Sequence, residues 1–430
     1  MGKFIELLLI LYILIIPAGL FPQVQGNYQS LYESGEFSQA LTAVTKELNE
    51  IYSKRVDGKR IPSGYISLQN SGDDIDLVSL FRNRKATGFF IENNPELSGL
   101  HLYAARINGK LGKRRDALNH YIQSLRFREI EYKRDDIIFY EMAEVFKSYN
   151  SSEFFQAYTD ALEQAYTLNS SNYNYSYELG MALSSTREIK KSLYHLERYV
   201  ENASGASAEA LLKIASLYNT SGKYIEAEKN YNRYLMEVPD NGEIHFALGY
   251  LAYSRTGNYI LAESSFQAAL QYIDENDINR RSRIYEYSGD MALSNLKYDK
   301  ALLMYNSAIE YQNRVLDRID TAKAELERIK NEVNGLKQEL IRDKNFERYE
   351  EYEILLDSQG EKERYLENLE NSFKRLNPGK VHWNMAEINE KKYNNEAAIN
   401  YYRECIKYDY RSNKARDRIE KLQLKIKRGY

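Results

Sequence analysis

The chain has 430 residues, of which 28% are charged, and its net charge of −3 gives no overall field that would attract nucleic acid. Cys405 is the only cysteine, which excludes an internal disulfide framework and cysteine-rich zinc sites. The 22 glycines and 6 prolines are too few for a β-protein rich in turns, whereas the 39 tyrosines are an excess that needs a structural reason.

The first 26 residues have the pattern of a secretory signal peptide. Lys3 precedes the apolar run Leu7–Ile16, and the residues before Asn27 are small enough for cleavage there. The run is short for a membrane span. We therefore expect residues 1–26 to direct export to the periplasm or cell envelope, and the alternative is an uncleaved N-terminal membrane anchor.

Two different segments follow the signal peptide. Residues 27–50 contain "YQSLYESGEFSQALTAV", in which a glycine separates two short helical stripes. Residues 51–96 are rich in glycine and polar turn residues, and only "DDIDLVSLFRNR" within them has a helical pattern. This predicts an N-terminal helical pair and then a loop-rich connector.

A helical hairpin pattern is clearest in "SAEALLKIASLYNTSGKYIEAEKNYNRYLMEVPDN". Apolar residues lie on one face of a first helix, and Gly222 ends that helix because glycine readily takes positive φ. Tyr224 begins a second stripe, in which Ala227 is the small residue where two helices can approach closely. Pro239 stops the second helix. Such a pair of about 34 residues cannot bury its apolar stripe alone, which predicts a stack of repeats.

The pattern recurs along residues 97–310. The small residues Ser192, Ala227, Ala262 and Ala301 are separated by 35, 35 and 39 positions, and a poorer copy lies around Met142. The spacing resembles the tetratricopeptide repeat (TPR) family, whose W-x2-L-G-x2-Y…A-x3-F…P pattern corresponds here to the following residues: Leu211-x2-Ile214-Ala215-x2-Tyr218…Ala227-x3-Tyr231…Pro239. The resemblance implies an all-α, TPR-type α-solenoid, in which framework tyrosines pack between helices.

Residues 311–377 interrupt the repeats with a charged, heptad-patterned segment. Its apolar residues alternate by 4 and 3 positions, as in a coiled coil: Val315, Ile319, Ala322, Leu326, Ile329, Val333, Leu336 and Leu340. A return stripe includes Tyr349, Leu356, Leu366, Leu369 and Phe373. We expect an inserted antiparallel coiled-coil arm whose acidic return helix prefers a basic partner. The alternatives are a single long helix packed along the array, and a merely solvated charged face.

The C-terminal part returns to the repeat pattern. Residues 378–410 contain "HWNMAEINEKKYNNEAAINYYREC", a further TPR-like unit. Residues 411–430 form a basic amphipathic helix, which is expected to cap the last repeat. A second interpretation is peripheral association of this helix with an anionic membrane or an acidic partner.

No catalytic motif accompanies these repeats. The five histidines are scattered, without metal-ligand spacing, and phosphate-loop, dinucleotide-binding and nucleophile-elbow motifs are absent from the sequence. We therefore expect no enzyme activity, no cofactor and no bound metal.

A partner-binding groove is the better-supported function. In TPR arrays the first helix of each pair faces the ligand, and several residues at those positions here are more apolar than a solvated face requires. The predicted groove comprises Tyr177, Met181, Leu212, Asn219, Phe246, Tyr250, Tyr253, Glu286 and Asp290. Its occupant would be a protein or peptide, unless the arm or the N-terminal segment already covers it.

The sequence thus predicts a non-enzymatic scaffold or adaptor of the periplasm or cell envelope. One alternative is a self-assembling structural component joined through its arms. Another is an accessory factor to an envelope enzyme. The oligomeric state and the identity of the partner do not follow from the sequence.

Overall fold

The computed structural model describes residues 27–55, 94–127, 135–202, 207–343 and 348–428. The predicted signal peptide and the helical stretch of the connector lie outside these residues. Within the described ranges, no helix is long and apolar enough to cross a bilayer.

The described residues form eighteen α-helices and no β-strand. In chain order they are α1 (Asn27–Glu33), α2 (Phe37–Arg55), α3 (Pro95–Lys110), α4 (Arg114–Arg126), α5 (Asp135–Ser148), α6 (Ser152–Leu168), α7 (Tyr173–Leu183), α8 (Ile189–Asn202), α9 (Ala208–Thr220), α10 (Tyr224–Glu237), α11 (Gly242–Leu251), α12 (Tyr259–Tyr272), α13 (Ile278–Ser294), α14 (Tyr298–Asp343), α15 (Tyr349–Arg375), α16 (Pro378–Lys391), α17 (Asn395–Lys407) and α18 (Ser412–Lys427). The predicted all-α chain of TPR-type helical hairpins is confirmed.

The chain divides into two compact units, Met1–Leu217 and Tyr218–Tyr430. In the first, helices α3 to α7 share one apolar core, to which the irregular copy contributes Met142, Ala143, Phe146 and Leu162 as fully buried residues. A second core joins α1 and α2 to α3. The helix α2 continues to Arg55 and α3 begins at Pro95, so both ends of the predicted connector are helical.

Close helix contact explains two of the glycines within the first helices, Gly249 and Gly289. A Cβ atom on Gly249 would lie 2.7 Å from the Phe266 ring, and one on Gly289 would lie 2.6 Å from the Tyr305 ring. The small residues opposite are completely buried, as Ala262 and Ala301 show. The aromatic ring of one helix thus fills the space that a side chain would occupy on its partner.

Most of the described turns between paired helices share one backbone conformation. Gly35, Gly112, Gly222 and Gly257 each have φ between 69° and 81°, as their helix-ending role requires. Leu296 and Tyr393 adopt the same left-handed conformation at equivalent turns, with φ of 56° and 59°. The conformation therefore belongs to the fold, whichever residue occupies the turn.

The charged segment is a pair of helices. Helix α14 starts as the second helix of a repeat and continues without a break, reaching about 69 Å at 1.5 Å per residue. Ion pairs Lys323–Glu370, Lys330–Glu363 and Lys362–Glu325 join it to α15, and the nearly constant sum of their residue numbers shows that the helices run antiparallel.

The apolar seam of this pair is asymmetric. The predicted stripe of α14 is buried from Val315 to Leu336, whereas α15 has no fully buried residue. On α15, Tyr349 and Leu356 are exposed, and Tyr352 and Leu355 face the seam instead. The prediction for Tyr349 and Leu356 was wrong. The heptad register that faces α14 runs from Tyr352 and Leu355 to Leu366 through Gln359 and Lys362, and because these two residues are polar, an apolar stripe does not reveal it.

Candidate partner-binding surface

The first unit holds three of the predicted groove residues. The Tyr177 hydroxyl donates a hydrogen bond to Glu209 Oε2 at 2.8 Å, and its ring centroid lies 4.9 Å from that of Tyr199. Burial and the Glu209 carboxylate raise the pKa of Tyr177. Met181 and Leu212 are half-buried. Tyr177 therefore links two successive first helices.

The remaining predicted residues lie in the second unit, where Asn219 is set apart from the others. It is exposed, and its side chain hydrogen-bonds the hydroxyl of Tyr231, whose pKa is raised by burial in spite of that bond. Asn219 thus supports the second helix of its own repeat.

Helices α11 and α13 form an aromatic surface. The Tyr287 ring lies 5.3 Å from Tyr250 and 5.0 Å from Tyr253, the latter nearly parallel at 25°. Phe246 is half-buried, and its ring centroid lies 6.2 Å from that of Phe266 in the core. Tyr250 is 41% exposed. Tyr287 therefore packs against both Tyr250 and Tyr253 and holds the two rings in place, while Tyr250 faces solvent.

Asp290 is the centre of a polar network beside these rings. It accepts hydrogen bonds from the hydroxyls of Tyr253 at 2.9 Å and Tyr305 at 2.6 Å. Lys380 Nζ and Asn384 Nδ2, both on α16, donate to it at 2.7 and 3.0 Å. The network connects the turn after α11, which contains Tyr253, to α13, α14 and α16, and so it joins the repeats on both sides of the inserted helix pair.

Glu286 departs from the expectation of an accessible groove residue. It is buried and accepts a hydrogen bond from Lys380 Nζ at 2.7 Å. Burial raises the pKa of Glu286, and the Lys380 ammonium opposes that shift. The sequence did not predict the role of Lys380, because its partners lie 90 and 94 positions away.

A π-helical turn shapes the same surface. Residues Ala252–Thr256 form this turn directly after α11, and it contains Tyr253. Such turns are rare and occur frequently at functional sites. The sequence carries a signal for this turn in the distance from the small residue of the first helix to the glycine that ends it. That distance is eight positions here, from Gly249 to Gly257, but seven in the preceding repeat, from Ala215 to Gly222. The extra residue is accommodated as a wider turn.

We call Phe246, Tyr250, Tyr253, Glu286, Tyr287 and Asp290 the aromatic–acidic surface. The first helices that carry it are parallel and in register, since contacts between α11 and α13 join residues 37 apart and contacts between α13 and α16 join residues about 94 apart. These features define an array of TPR-type helical hairpins whose first helices carry a cluster of aromatic rings beside a hydrogen-bonded polar network.

Solved structures similar to this chain include two proteins described as TPR proteins. YrrB, "a TPR protein with an unusual peptide-binding site", is 18% identical over 43% of this chain and 89% of its own, with a TM-score of 0.35. MamA from Desulfovibrio magneticus is 18% identical over 41% and 95%, with a TM-score of 0.34. The C-terminal part of a TPR repeat-containing protein from Cytophaga hutchinsonii is 11% identical over 54% and 88%, with a TM-score of 0.38. No protein-family model and no curated protein sequence matches the chain.

Proposed function

We propose that this protein is a non-enzymatic interaction scaffold that binds a protein or peptide at the aromatic–acidic surface. The observation that carries the proposal is the exposed Tyr250 ring, which Tyr287 holds in place from behind. Exposed tyrosines on a rigid base are typical anchors of interfaces, because binding costs them little side-chain entropy.

The polar network favours a structural role over catalysis. Asp290 accepts hydrogen bonds from four donors, and Lys380 lies between two carboxylates. Groups satisfied in this way position their helices rigidly, and Glu286, Asp290 and Lys380 are therefore not free to act as a base or an acid beside the rings. The network therefore suits preorganisation for a partner.

The test compares Tyr250 with a matched tyrosine. Tyr272, on the second helix of the same repeat, is 42% exposed against 41% for Tyr250 and lies outside the aromatic–acidic surface. Immobilised wild-type protein, Tyr250→Ala and Tyr272→Ala are incubated with extract of the native cells, and a photo-cross-linking residue is placed at position 250 or 272. We expect a partner that is lost only with Tyr250→Ala and cross-links only from position 250. Equal capture and cross-linking at both positions would refute the proposal.

A second candidate function is self-assembly through the inserted helix pair. Glu350, Glu353, Asp357 and Glu361 on α15 are exposed and have no ion-pair partner among the described residues, and the apolar Ile354 is exposed among them. Such a face is available to a basic partner or another copy. Light scattering over a range of concentrations tests this alternative, and a strict monomer excludes it.

Export to the periplasm or cell envelope remains part of the proposal on the strength of the N-terminal sequence pattern. We expect the mature protein to begin at Asn27. N-terminal sequencing of the natively produced protein tests this, and an intact Met1 in the membrane fraction would support the membrane-anchor alternative. The alternative of an accessory factor would be supported if the partner cross-linked at position 250 is an envelope enzyme.

A further inference from the structure

The turns of the second unit expose large apolar side chains. Tyr393 is 89% exposed, Ile260 86%, Ile225 74% and Leu296 67%. All four lie at the turn between the paired helices or in the first turn of the second helix. We call these four residues the turn edge.

The turns of the first unit have a different composition. The residues at the equivalent places are mainly polar, as in "GKRR" at 112–115 and "NSSE" at 150–153. The repeat fold therefore does not require apolar residues there, and their presence at these four turns of the second unit needs another reason.

Two members of the turn edge also carry backbone strain. Leu296 and Tyr393 have φ of 56° and 59°, where other turns have glycine. A bulky residue in this conformation is disfavoured relative to glycine. Neither side chain compensates by packing, because both are largely exposed. Strain that persists without a structural benefit is a reason to look for function.

The four turns are neighbours along one edge. The Arg255 guanidinium, beside the turn of Ile260, lies 5.5 Å from the Tyr224 ring, which precedes Ile225. Lys300 pairs with Glu263, which joins the turn of Leu296 to that of Ile260. Further contacts reach the turn of Tyr393: Lys391 Nζ lies 5.6 Å from the Tyr298 ring, and Lys392 pairs with Asp299.

Exposed lysines accompany the apolar residues. Lys297 directly follows Leu296, Lys391 lies two residues before Tyr393, and Lys223 lies two residues before Ile225, whereas Lys392 is already paired with Asp299 and Glu226 follows Ile225. Separate apolar side chains that project from turns beside lysines suit a fluid surface that has no fixed pockets. A lipid bilayer with anionic headgroups has that chemistry: its acyl region accepts the apolar tips, and its phosphates attract the ammonium groups.

We propose that the turn edge binds the surface of an anionic lipid bilayer. The protein would then lie on the membrane by this edge, which is distinct from the aromatic–acidic surface. The basic helix α18 does not belong to the edge and is not needed for this contact.

The experiment measures sedimentation of the chain from Asn27, the expected mature N-terminus, with vesicles of phosphatidylcholine alone or with one quarter phosphatidylglycerol. We expect binding to the anionic vesicles that weakens with salt. The double variant Leu296→Gly/Tyr393→Gly should bind about tenfold more weakly, because two apolar tips are removed. The same variant should melt at an equal or higher temperature, since glycine relieves the backbone strain, so lost binding cannot be attributed to misfolding.

Two controls make the result decisive. Met236→Ser removes a side chain that is 80% exposed outside the turn edge, and it should bind vesicles like the wild type. Lys425→Glu/Lys427→Glu alters α18 and should also retain binding. Absence of vesicle binding by the wild type, unchanged binding of the glycine variant, or loss caused only by the α18 variant would each overturn the proposal.

Discussion

Replacing Gly289 by alanine should destabilise the second unit, although alanine is the better helix former. The added Cβ would lie 2.6 Å from Cε1 of Tyr305, well inside the 3.5–4 Å at which carbon atoms normally pack. Tyr305 cannot move aside freely, because it is fully buried and its hydroxyl is bonded to Asp290 and Asn384. Overpacking of this kind costs about 1–3 kcal/mol, and a disturbed hydrogen bond adds about 1 kcal/mol.

Helix propensity offsets about 1 kcal/mol of that cost, so the net loss should be about 2 kcal/mol. Gly335 on α14 is the matched control, because no atom lies within 4 Å of the position that its Cβ would take. Gly335→Ala should therefore stabilise the helix by about 1 kcal/mol.

The assay is urea unfolding of both variants, with hydrogen exchange resolved by peptide to locate the change. Because repeat proteins need not unfold in one step, exchange in α13 and α14 is the more direct measure. We expect the free energy of unfolding to decrease for Gly289→Ala and to increase for Gly335→Ala. If Gly289→Ala were as stabilising as Gly335→Ala, the close contact between first and second helices would not exist as described.

Three further outcomes follow from other contacts. Burial lowers the pKa of His120 from 6.5 to about 4, so between these pH values the unfolded chain binds a proton that the folded chain excludes. The free energy of unfolding should therefore fall as pH decreases from 6.5 towards 4, and in unfolding measurements at several pH values it should depend less steeply on pH for His120→Gln than for the wild type. Lys380→Met leaves two carboxylates without their ammonium partner and should cost about 2 kcal/mol in urea unfolding, whereas an unchanged midpoint would show that the network is dispensable. Replacing residues 313–375 by a short linker should leave a folded, less stable chain by circular dichroism, and loss of helicity beyond the deleted residues would show that the helix pair is part of the core.

The candidate site was only partly predictable. Tyr250 follows from the repeat register, because the register tells which face of a first helix points away from its partner. Lys380 does not, since a charged residue far along the chain gives no local sign that it will reach Glu286. The π-helical turn has a local sign, the extra residue before Gly257, but a count of positions alone does not tell whether a loop or a helix absorbs it.

The sequence by itself determined the helical hairpins, their small contact residues and the glycine turns, because these depend on neighbours within about 35 positions. The tertiary structure alone decided which carboxylate is buried and which tyrosine is exposed, since that depends on contacts between helices separated by the inserted pair. The strained turns at Leu296 and Tyr393 belong to the second group as well: only the backbone shows that these side chains occupy positions where four other turns have glycine.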